Sequence, residues 1–204
     1  MIVVGLTGSF ASGKTEVAKF FKRLGARVFD ADEAAKKAVE KGRPAYRAIV
    51  KMFGRDYLLK NGELDRKKLA SHVFNHPRDL KKLNILIHPG VIFESLKLIE
   101  QCGTHKGVLV LDVPLLFESK MEGLVDVAVV VSSTEESILH RSVKKGLPRD
   151  LAKKILSTQW PLKRKEKQAD FVIRNDGSIK DLEKKAKEIF EKISQDSQRI
   201  TDNR

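Results

Sequence analysis

The sequence predicts an α/β protein built around a five-stranded parallel sheet that is flanked by helices. Apolar runs rich in Val, Ile and Leu alternate along the chain with segments whose apolar residues recur at helical spacing. None of these runs alternates strictly between apolar and polar residues, which is typical of strands covered on both faces. The predicted strands are residues 2–6, 26–29, 108–113, 127–131 and 171–173.

The composition is that of a folded globular protein. The chain has 204 residues, of which 41% are hydrophobic and 33% charged, so it can bury a sizeable core. No apolar run approaches the length of a membrane span, and we expect no membrane partner. Cys102 is the only cysteine, which excludes an internal disulfide and favours a reducing, cytoplasmic location.

The charge balance is strongly basic. There are 40 Lys and Arg residues against 27 Asp and Glu residues, a formal net charge of +13. Such a surface attracts anions, whether nucleic acid, phospholipid or phosphorylated small molecules. Aromatic residues are only 6% of the chain and the lysines are spread over predicted helices, so a basic groove for single strands is not indicated. We therefore expect no nucleic-acid partner.

Two long interruptions divide the predicted sheet. Residues of about 33–107 are too many for one crossover helix and are predicted to form a helical substrate-binding insertion, in which one helix ends near His88-Pro89. Residues of about 144–167 are dense in Lys and Arg and are predicted to form a mobile basic lid. The core of the single domain, which extends to about residue 200, comprises residues 1–32, 108–143 and 168–195, and a polar tail that frays follows at 196–204.

The helices next to the sheet carry terminal signals. The first helix has apolar residues at three- and four-residue spacing and is predicted to end at Gly25, a suitable left-handed cap. The last helix is predicted to begin at Ser178, with Asp181 three residues later as in a capping box.

The segment from Gly8 to Thr15 matches the phosphate-binding pattern G-x-x-x-x-G-K-[ST]. Its glycines let the backbone wrap a phosphate, and the N-terminus of the following helix adds positive potential. Lys14 would reach the β- and γ-phosphates of ATP, and the Thr15 hydroxyl would bind Mg²⁺. The motif predicts a P-loop NTPase fold, although it does not separate kinases from GTPases, motor ATPases or translocases.

Carboxylates at strand ends narrow the chemistry. The second strand ends in Asp30-Ala31-Asp32, at the edge of a parallel sheet where ligands bind. Asp32 is the first candidate to orient or deprotonate an acceptor hydroxyl, with Asp30 second; the alternative is that one of them caps a helix starting near Glu33. Asp112 ends the third strand, where it either binds Mg²⁺ through water or has a role in the turn.

A single arginine is the candidate for contact with the transferred phosphate. Arg141 lies on a helix that begins near Thr134 and leads into the predicted lid. It would close over phosphate charge, or else be a solvated helix residue.

Taken together, these segments resemble the dephospho-coenzyme A kinases, which use ATP to phosphorylate the ribose 3′-hydroxyl of dephospho-coenzyme A. The resemblance covers about residues 1–195. The matching positions are 5–8, 12–15, 30–32, 53–54, 88–89, 112–118, 159 and 169–173.

The resemblance implies roles for individual residues. The catalytic residues would be Asp32, Lys14 and Arg141, and Thr15 and Asp112 would bind Mg²⁺. Residues implied at the ATP phosphates are Gly8, Ala11, Ser12, Gly13, Lys14, Thr15 and Glu16. Residues implied at the acceptor pocket, beside Asp32, are His88, Leu116 and Glu118. The helical insertion would bind coenzyme A, and the protein would be a monomer or a weak homo-oligomer.

Some positions depart from the family pattern. Ser9 and Ala11 stand where glycines are frequent. Lys144-Lys145 are found after Arg141 where a second lid arginine is common, and Arg174 replaces an acidic residue. Two other functions stay open at this point: a P-loop kinase of a nucleoside, a nucleotide or another small acceptor, and a nucleic-acid-stimulated P-loop ATPase.

Overall fold

The computed structural model describes the backbone of residues 1–103 and 106–202, and the side chains in these ranges up to residue 195. Residues 104 and 105, in the predicted insertion, and residues 203 and 204, at the end of the predicted tail, lie outside the described residues. In the described backbone the last helix continues to Asp202, and the fraying of the tail stays a prediction.

The five strands form one parallel sheet with the order β2-β3-β1-β4-β5, which confirms the predicted architecture. In the register of the sheet, Asp112 lies beside Leu6 on one side and Asp30 on the other. The carboxyl ends of the three strands therefore meet at one edge. The strands are β1 Ile2–Gly8, β2 Arg27–Asp30, β3 Val108–Asp112, β4 Val127–Ser132 and β5 Phe171–Arg174.

A helix follows every strand except β3, which is followed by a single 3₁₀ turn at Met121–Leu124, and further helices fill both interruptions. They are α1 Lys14–Arg23, α2 Ala31–Ala38, α3 Pro44–Phe53, α4 Arg66–Asn75, α5 Pro77–Cys102, α6 Glu135–Lys144, α7 Arg149–Ser157, α8 Leu162–Glu166 and α9 Ile179–Asp202. Within the described residues, no helix is long and apolar enough to cross a membrane.

The first and last helices pack together on the sheet. The rings of Phe21 in α1 and Phe190 in α9 lie 5.4 Å apart between centroids, and Phe21 is completely buried. Their ends match the predicted signals, since Gly25 has a φ of 100° and the Ser178 hydroxyl and backbone amide both donate to Asp181 Oδ2. This packing buries the apolar stripes that identified both helices.

The chain separates into two compact units. The first comprises Met1–Asp30 and Leu96–Arg204, and contains the sheet. The second comprises Ala31–Ser95 and has its own apolar core, which includes Ile49, Leu69 and Val73. The functional boundaries of the insertion and lid stay predictions.

The helix predicted to end at His88-Pro89 instead continues to Cys102 as part of α5. Proline removes one backbone hydrogen bond and disfavours the helical conformation before it, at a cost of about 3 kcal/mol. Leu83 and Val91 are buried on the two sides of Pro89, and their packing outweighs this cost. The α2 helix also begins earlier than predicted, at Ala31 rather than near Glu33.

The lone cysteine is buried at the end of α5. Cys102 has no exposed surface, and Arg27 Nη1 donates a hydrogen bond to its Sγ at 3.2 Å. The thiol is therefore enclosed within the first unit.

Candidate active site

The phosphate-binding motif forms a loop between β1, which ends at Gly8, and α1, which begins at Lys14. Gly13 precedes the helix in a left-handed conformation with a φ of 101°. Its carbonyl accepts hydrogen bonds from the backbone amides of Glu16 at 3.0 Å and Val17 at 3.3 Å. A loop that leads directly into a helix N-terminus is a site suited to binding an anion.

The two motif glycines are required for different reasons. A Cβ atom at Gly8 would lie 2.5 Å from the Val131 carbonyl oxygen of β4. A Cβ atom at Gly13 would overlap the side-chain amide of Asn175, and its positive φ also favours glycine. Ala11 likewise has a positive φ, 54°, so this departure from the family's glycine places an alanine in a left-handed conformation.

Three side chains from elsewhere hold the loop through its backbone. Gln159 Oε1 accepts from the Phe10 amide at 2.9 Å, and Arg141 Nε donates to the Ala11 carbonyl at 3.0 Å. Asn175 Nδ2 donates to the carbonyl of Ser12 at 2.8 Å. The sequence reasoning missed Asn175. Its position directly after β5 was the available signal, because the carboxyl ends of parallel strands border the ligand site.

Arg141 is a partly buried residue rather than a solvated one. Its guanidinium also donates to Ser133 Oγ at 2.5 Å and to the Asn175 carbonyl at 3.3 Å. Burial lowers the pKa of Arg141, and the negative charge of Asp176 opposes this effect. Arg141 thus links α6 to the phosphate loop, while its contact with phosphate stays a prediction.

Lys14 and Asp112 are brought together as an ion pair. Their side chains are only 12% and 9% exposed, so solvent screens the pair weakly. Asp112 ends β3 next to Leu6, which explains why an acidic residue from a distant part of the sequence meets the motif lysine. A phosphate at the loop would compete with Asp112 for Lys14.

The donor set fits a magnesium ion. Thr15, exposed in the first turn of α1, and Asp112 offer a hydroxyl and a carboxylate, the oxygen ligands that Mg²⁺ prefers. No cluster of three or more His, Cys, Asp or Glu side chains suited to a metal occurs among the described residues. An ion bound here would take its other ligands from phosphate and water, as Mg²⁺ commonly does.

The loop after β3 is tied to β1 and to the residues just before α8. Thr7 Oγ1 donates to the Pro114 carbonyl at 3.0 Å, and Leu116 is fully buried, with a methyl carbon 2.8 Å from where a Cβ of Gly5 would lie. Glu118 Oε1 accepts from the Trp160 amide at 2.9 Å. Its other oxygen, Oε2, is buried without a hydrogen-bond partner in the described structure.

Asp32 lies in the first turn of α2, in the second unit, where it lines a cavity of about 240 Å³. Lys36 and Arg66 also line this cavity, whose other walls are apolar. The apolar residues are Ala35, Val39, Ile49, Leu64, Leu69, Ala70, Val73, Phe74, Leu80, Leu83 and Ile87. The cavity can therefore enclose a flat apolar group beside a carboxylate and two cations.

His88 is half-buried in α5 and is not among the residues lining this cavity. Burial lowers the pKa of His88, which favours a neutral imidazole. Its predicted role at the acceptor stays a prediction, as do those of Leu116 and Glu118.

Comparison with known proteins gives a consistent result. A model of the family described as dephospho-CoA kinase matches residues 2–181. The dephospho-CoA kinase of Bacillus thuringiensis subsp. konkukian is 43% identical over 181 residues, covering 87% of this chain and 90% of that protein.

Two solved structures are similar over nearly the whole chain. TT1252 from Thermus thermophilus is 32% identical with a TM-score of 0.76, covering 94% of this chain and 97% of that one. A dephospho-CoA kinase from Campylobacter jejuni is 28% identical with a TM-score of 0.70, covering 95% of this chain and 97% of that one.

Proposed function

Because the chain belongs to the dephospho-CoA kinase family, we propose that it transfers the γ-phosphoryl group of ATP to the ribose 3′-hydroxyl of dephospho-coenzyme A. The product is coenzyme A, and the reaction is the last step of its synthesis. The observation that carries the proposal is the phosphate loop from Gly8 to Thr15 with the Lys14–Asp112 pair at its base.

ATP binds through the phosphate loop in this proposal. Backbone amides of residues 11–16 and the positive end of α1 face the phosphates, and Lys14 exchanges Asp112 for phosphate oxygens. Thr15 and Asp112 would hold Mg²⁺, which would supply positive charge against the phosphates. The bonds from Arg141, Gln159 and Asn175 keep the loop in one conformation, which lowers the reorganisation needed during transfer.

Asp32 acts on the acceptor. Its carboxylate takes the proton of the 3′-hydroxyl while that oxygen bonds to the γ-phosphorus and the bond to the leaving ADP oxygen breaks. The cavity beside Asp32 supports this role. The nucleotide base of the acceptor is attached to the same ribose as the reacting hydroxyl, so its flat ring can occupy the cavity beside Asp32. Lys36 and Arg66 can bind the acceptor's diphosphate.

The other predicted acceptor residues complete the proposal. His88, kept neutral by burial, Leu116 and Glu118 border the acceptor. Within the basic segment of about 144–167, the part that precedes Gln159 closes as a lid and excludes the water that would otherwise hydrolyse ATP.

The first experiment measures coenzyme A formation from dephospho-coenzyme A, ATP and Mg²⁺ with Asp32→Asn protein. We expect kcat to fall by about 10²- to 10⁴-fold, because the base is lost, with little change in the KM for ATP. Glu40→Gln is the control, since Glu40 is an exposed carboxylate just after α2 that does not line the cavity. Near wild-type turnover by Asp32→Asn would sink the role of Asp32.

A panel of acceptors separates the alternatives. Preference for a nucleoside, a nucleotide or shikimate over dephospho-coenzyme A would identify a related small-molecule kinase instead. ATP hydrolysis stimulated by nucleic acid would identify a P-loop ATPase.

We further propose that the enzyme is cytoplasmic and a monomer or weak homo-oligomer. The reduced, buried Cys102 supports a reducing compartment. Cell fractionation and light scattering of the purified protein test the two statements separately.

A further inference from the structure

A lysine from the predicted basic lid is completely buried in the first unit. The Lys165 side chain in α8 is 0% exposed, and its Nζ donates to Glu118 Oε1 at 2.8 Å and to the Pro114 carbonyl at 2.9 Å. Lysine is almost never fully buried unless it is paired. Lys165 lies in a run of charged residues that is typical of a solvent-exposed helix face, so its burial requires an explanation.

Lys165 lies close to the candidate phosphate site. The Pro114 carbonyl that it contacts also accepts from Thr7 of β1, and Asp112, two residues earlier, pairs with Lys14. Burial lowers the pKa of Lys165, the bond and charge of Glu118 oppose this, and the positive charge of Lys14 lowers it further.

We propose that Lys165 is a positioning residue for phosphoryl transfer. It fixes the Glu118 carboxylate and the Pro114 carbonyl, and so holds the loop that starts at Asp112 in the position that transfer requires. The proposal rests on the function proposed above.

Two further contacts hold α8 and the residues just before it in place. Glu166, the next residue, pairs with Ser132 at the end of β4. The backbone amide of Trp160 donates to the same Glu118 oxygen that Lys165 contacts. The loop after β3 is therefore held from β1 on one side and from α8 on the other, with Lys165 as the link that carries charge.

A purely structural role explains this arrangement less well. Desolvating an ammonium and a carboxylate is costly, and apolar residues of similar volume often stabilise a protein as much or more. An ion pair with two directional bonds fixes one arrangement of the loop, whereas an apolar contact at the same place would allow several. The benefit of such precision appears in catalysis, where small displacements of reacting groups reduce the rate.

The chain contains a spectroscopic reporter of this junction. Trp160 is the only tryptophan. Its ring stacks on that of Phe117, with 6.4 Å between the centroids. The Cζ atom of the Arg164 guanidinium lies 3.4 Å from the centroid of the Trp160 ring. Its fluorescence is therefore sensitive to the position of Glu118 and α8.

The test is a double-mutant cycle in the full-length protein, with Lys165→Met, Glu118→Gln and both together. For each protein we measure kcat, the KM for each substrate, urea unfolding and Trp160 emission. We expect Lys165→Met to lower kcat about tenfold or more and to shift the emission, with the KM for ATP changed less than about threefold. Because Lys165 acts through Glu118, adding Lys165→Met to Glu118→Gln should lower kcat little further.

Two results would overturn the proposal. If Lys165→Met lowers stability but keeps wild-type kcat per folded molecule, the lysine is only structural. If the losses in kcat multiply in the double variant, Lys165 does not act through Glu118. Lys163→Met, exposed on the same helix, is the control and should retain wild-type kcat.

A second variant covers the case in which Lys165→Met does not fold. Lys165→Arg keeps the cation, and we expect it to retain more kcat than Lys165→Gln at equal folded fraction; equal kcat in the two would also count against the proposal. Turnover of dephospho-coenzyme A by the wild-type protein tests the proposed function on its own, while ratios between variant and wild type test Lys165.

Discussion

At the scale of single residues, the phosphate loop shows that a motif glycine can be required by its surroundings as well as by its ligand. Gly8 is needed because β4 approaches within 2.5 Å of where its Cβ would be. Gly13 combines a left-handed backbone with close contact to Asn175, whose amide also supports the Ser12 carbonyl. The glycines of the motif are therefore required both for phosphate binding and for the packing of the loop against β4 and Asn175.

Gly13→Ala and Gly25→Ala form a matched pair that separates these effects. Their φ angles are 101° and 100°, but no atom lies within 4 Å of a Cβ built at Gly25. We expect Gly25→Ala to lower the free energy of unfolding by only about 1–2 kcal/mol, which is the cost of a left-handed backbone for a residue with a Cβ atom. Gly13→Ala should lower the free energy of unfolding by more than this and should also weaken ATP binding, because Asn175 must move.

Urea unfolding and ATP titration of both variants measure the difference. Equal losses of stability, or unchanged ATP affinity in Gly13→Ala, would mean that Asn175 moves without consequence for the loop.

At the scale of elements, the start of α6 depends on a residue that follows β5. Asp176 Oδ1 accepts from the Thr134 amide and from Ser133 Oγ, both at 2.9 Å. The pKa of Asp176 lies below its usual 3.8, chiefly because of the hydrogen bond from the Thr134 amide. The bond from Ser133 and the charges of Arg141 and Arg174 lower it further. Arg174, a departure from the family pattern, thus favours the ionised form of a neighbouring carboxylate.

The effect of Asp176→Asn should depend on pH. A lowered pKa stabilises the folded protein above about pH 3.8, and this contribution is lost as the pH falls through the folded-state pKa. At pH 7 we expect the variant to lose about 0.5–1 kcal/mol in the free energy of unfolding, less than is usual for a hydrogen bond to a charged group, because the carboxylate is exposed.

Urea unfolding of the wild type and Asp176→Asn between pH 7 and pH 3 gives the measurement. The gap between the two proteins should narrow in acid. A gap that is constant with pH would show that the carboxylate charge is not what stabilises the start of α6.

At the scale of the whole molecule, the net charge of +13 should affect how fast anionic substrates arrive. Raising KCl from about 50 to 500 mM shortens the screening length from over 10 Å to about 4 Å, so we expect the KM for both nucleotides to rise and kcat to change little. Steady-state kinetics at fixed free Mg²⁺ measure both constants. A KM independent of salt would mean that the basic residues do not contribute to substrate capture.

The sequence predicted the sheet and the helices beside it because their signals are local. The apolar runs, Gly25 and the Ser178–Asp181 cap all lie within a few residues of the feature they specify. The passage of α5 through Pro89 was missed because packing on both sides of the proline outweighs a local preference.

Within the candidate site, residues in motifs were easier to predict than residues that support them. Lys14 and Asp112 were expected in the site, and they form a pair. Asn175 and Lys165 were missed because their importance depends on partners more than 40 positions away, such as Ser12 and Pro114. A single sequence does not reveal which members of a lysine-rich run turn inward.

The burial of Cys102 matters for an enzyme of coenzyme A synthesis. Dephospho-coenzyme A and coenzyme A both end in a thiol, and under oxidising conditions they form mixed disulfides with accessible protein cysteines. The chain has one cysteine, and its sulfur is enclosed at the end of α5 beside Arg27. An enzyme that handles thiols at every turnover thus offers them no reactive sulfur in its folded state.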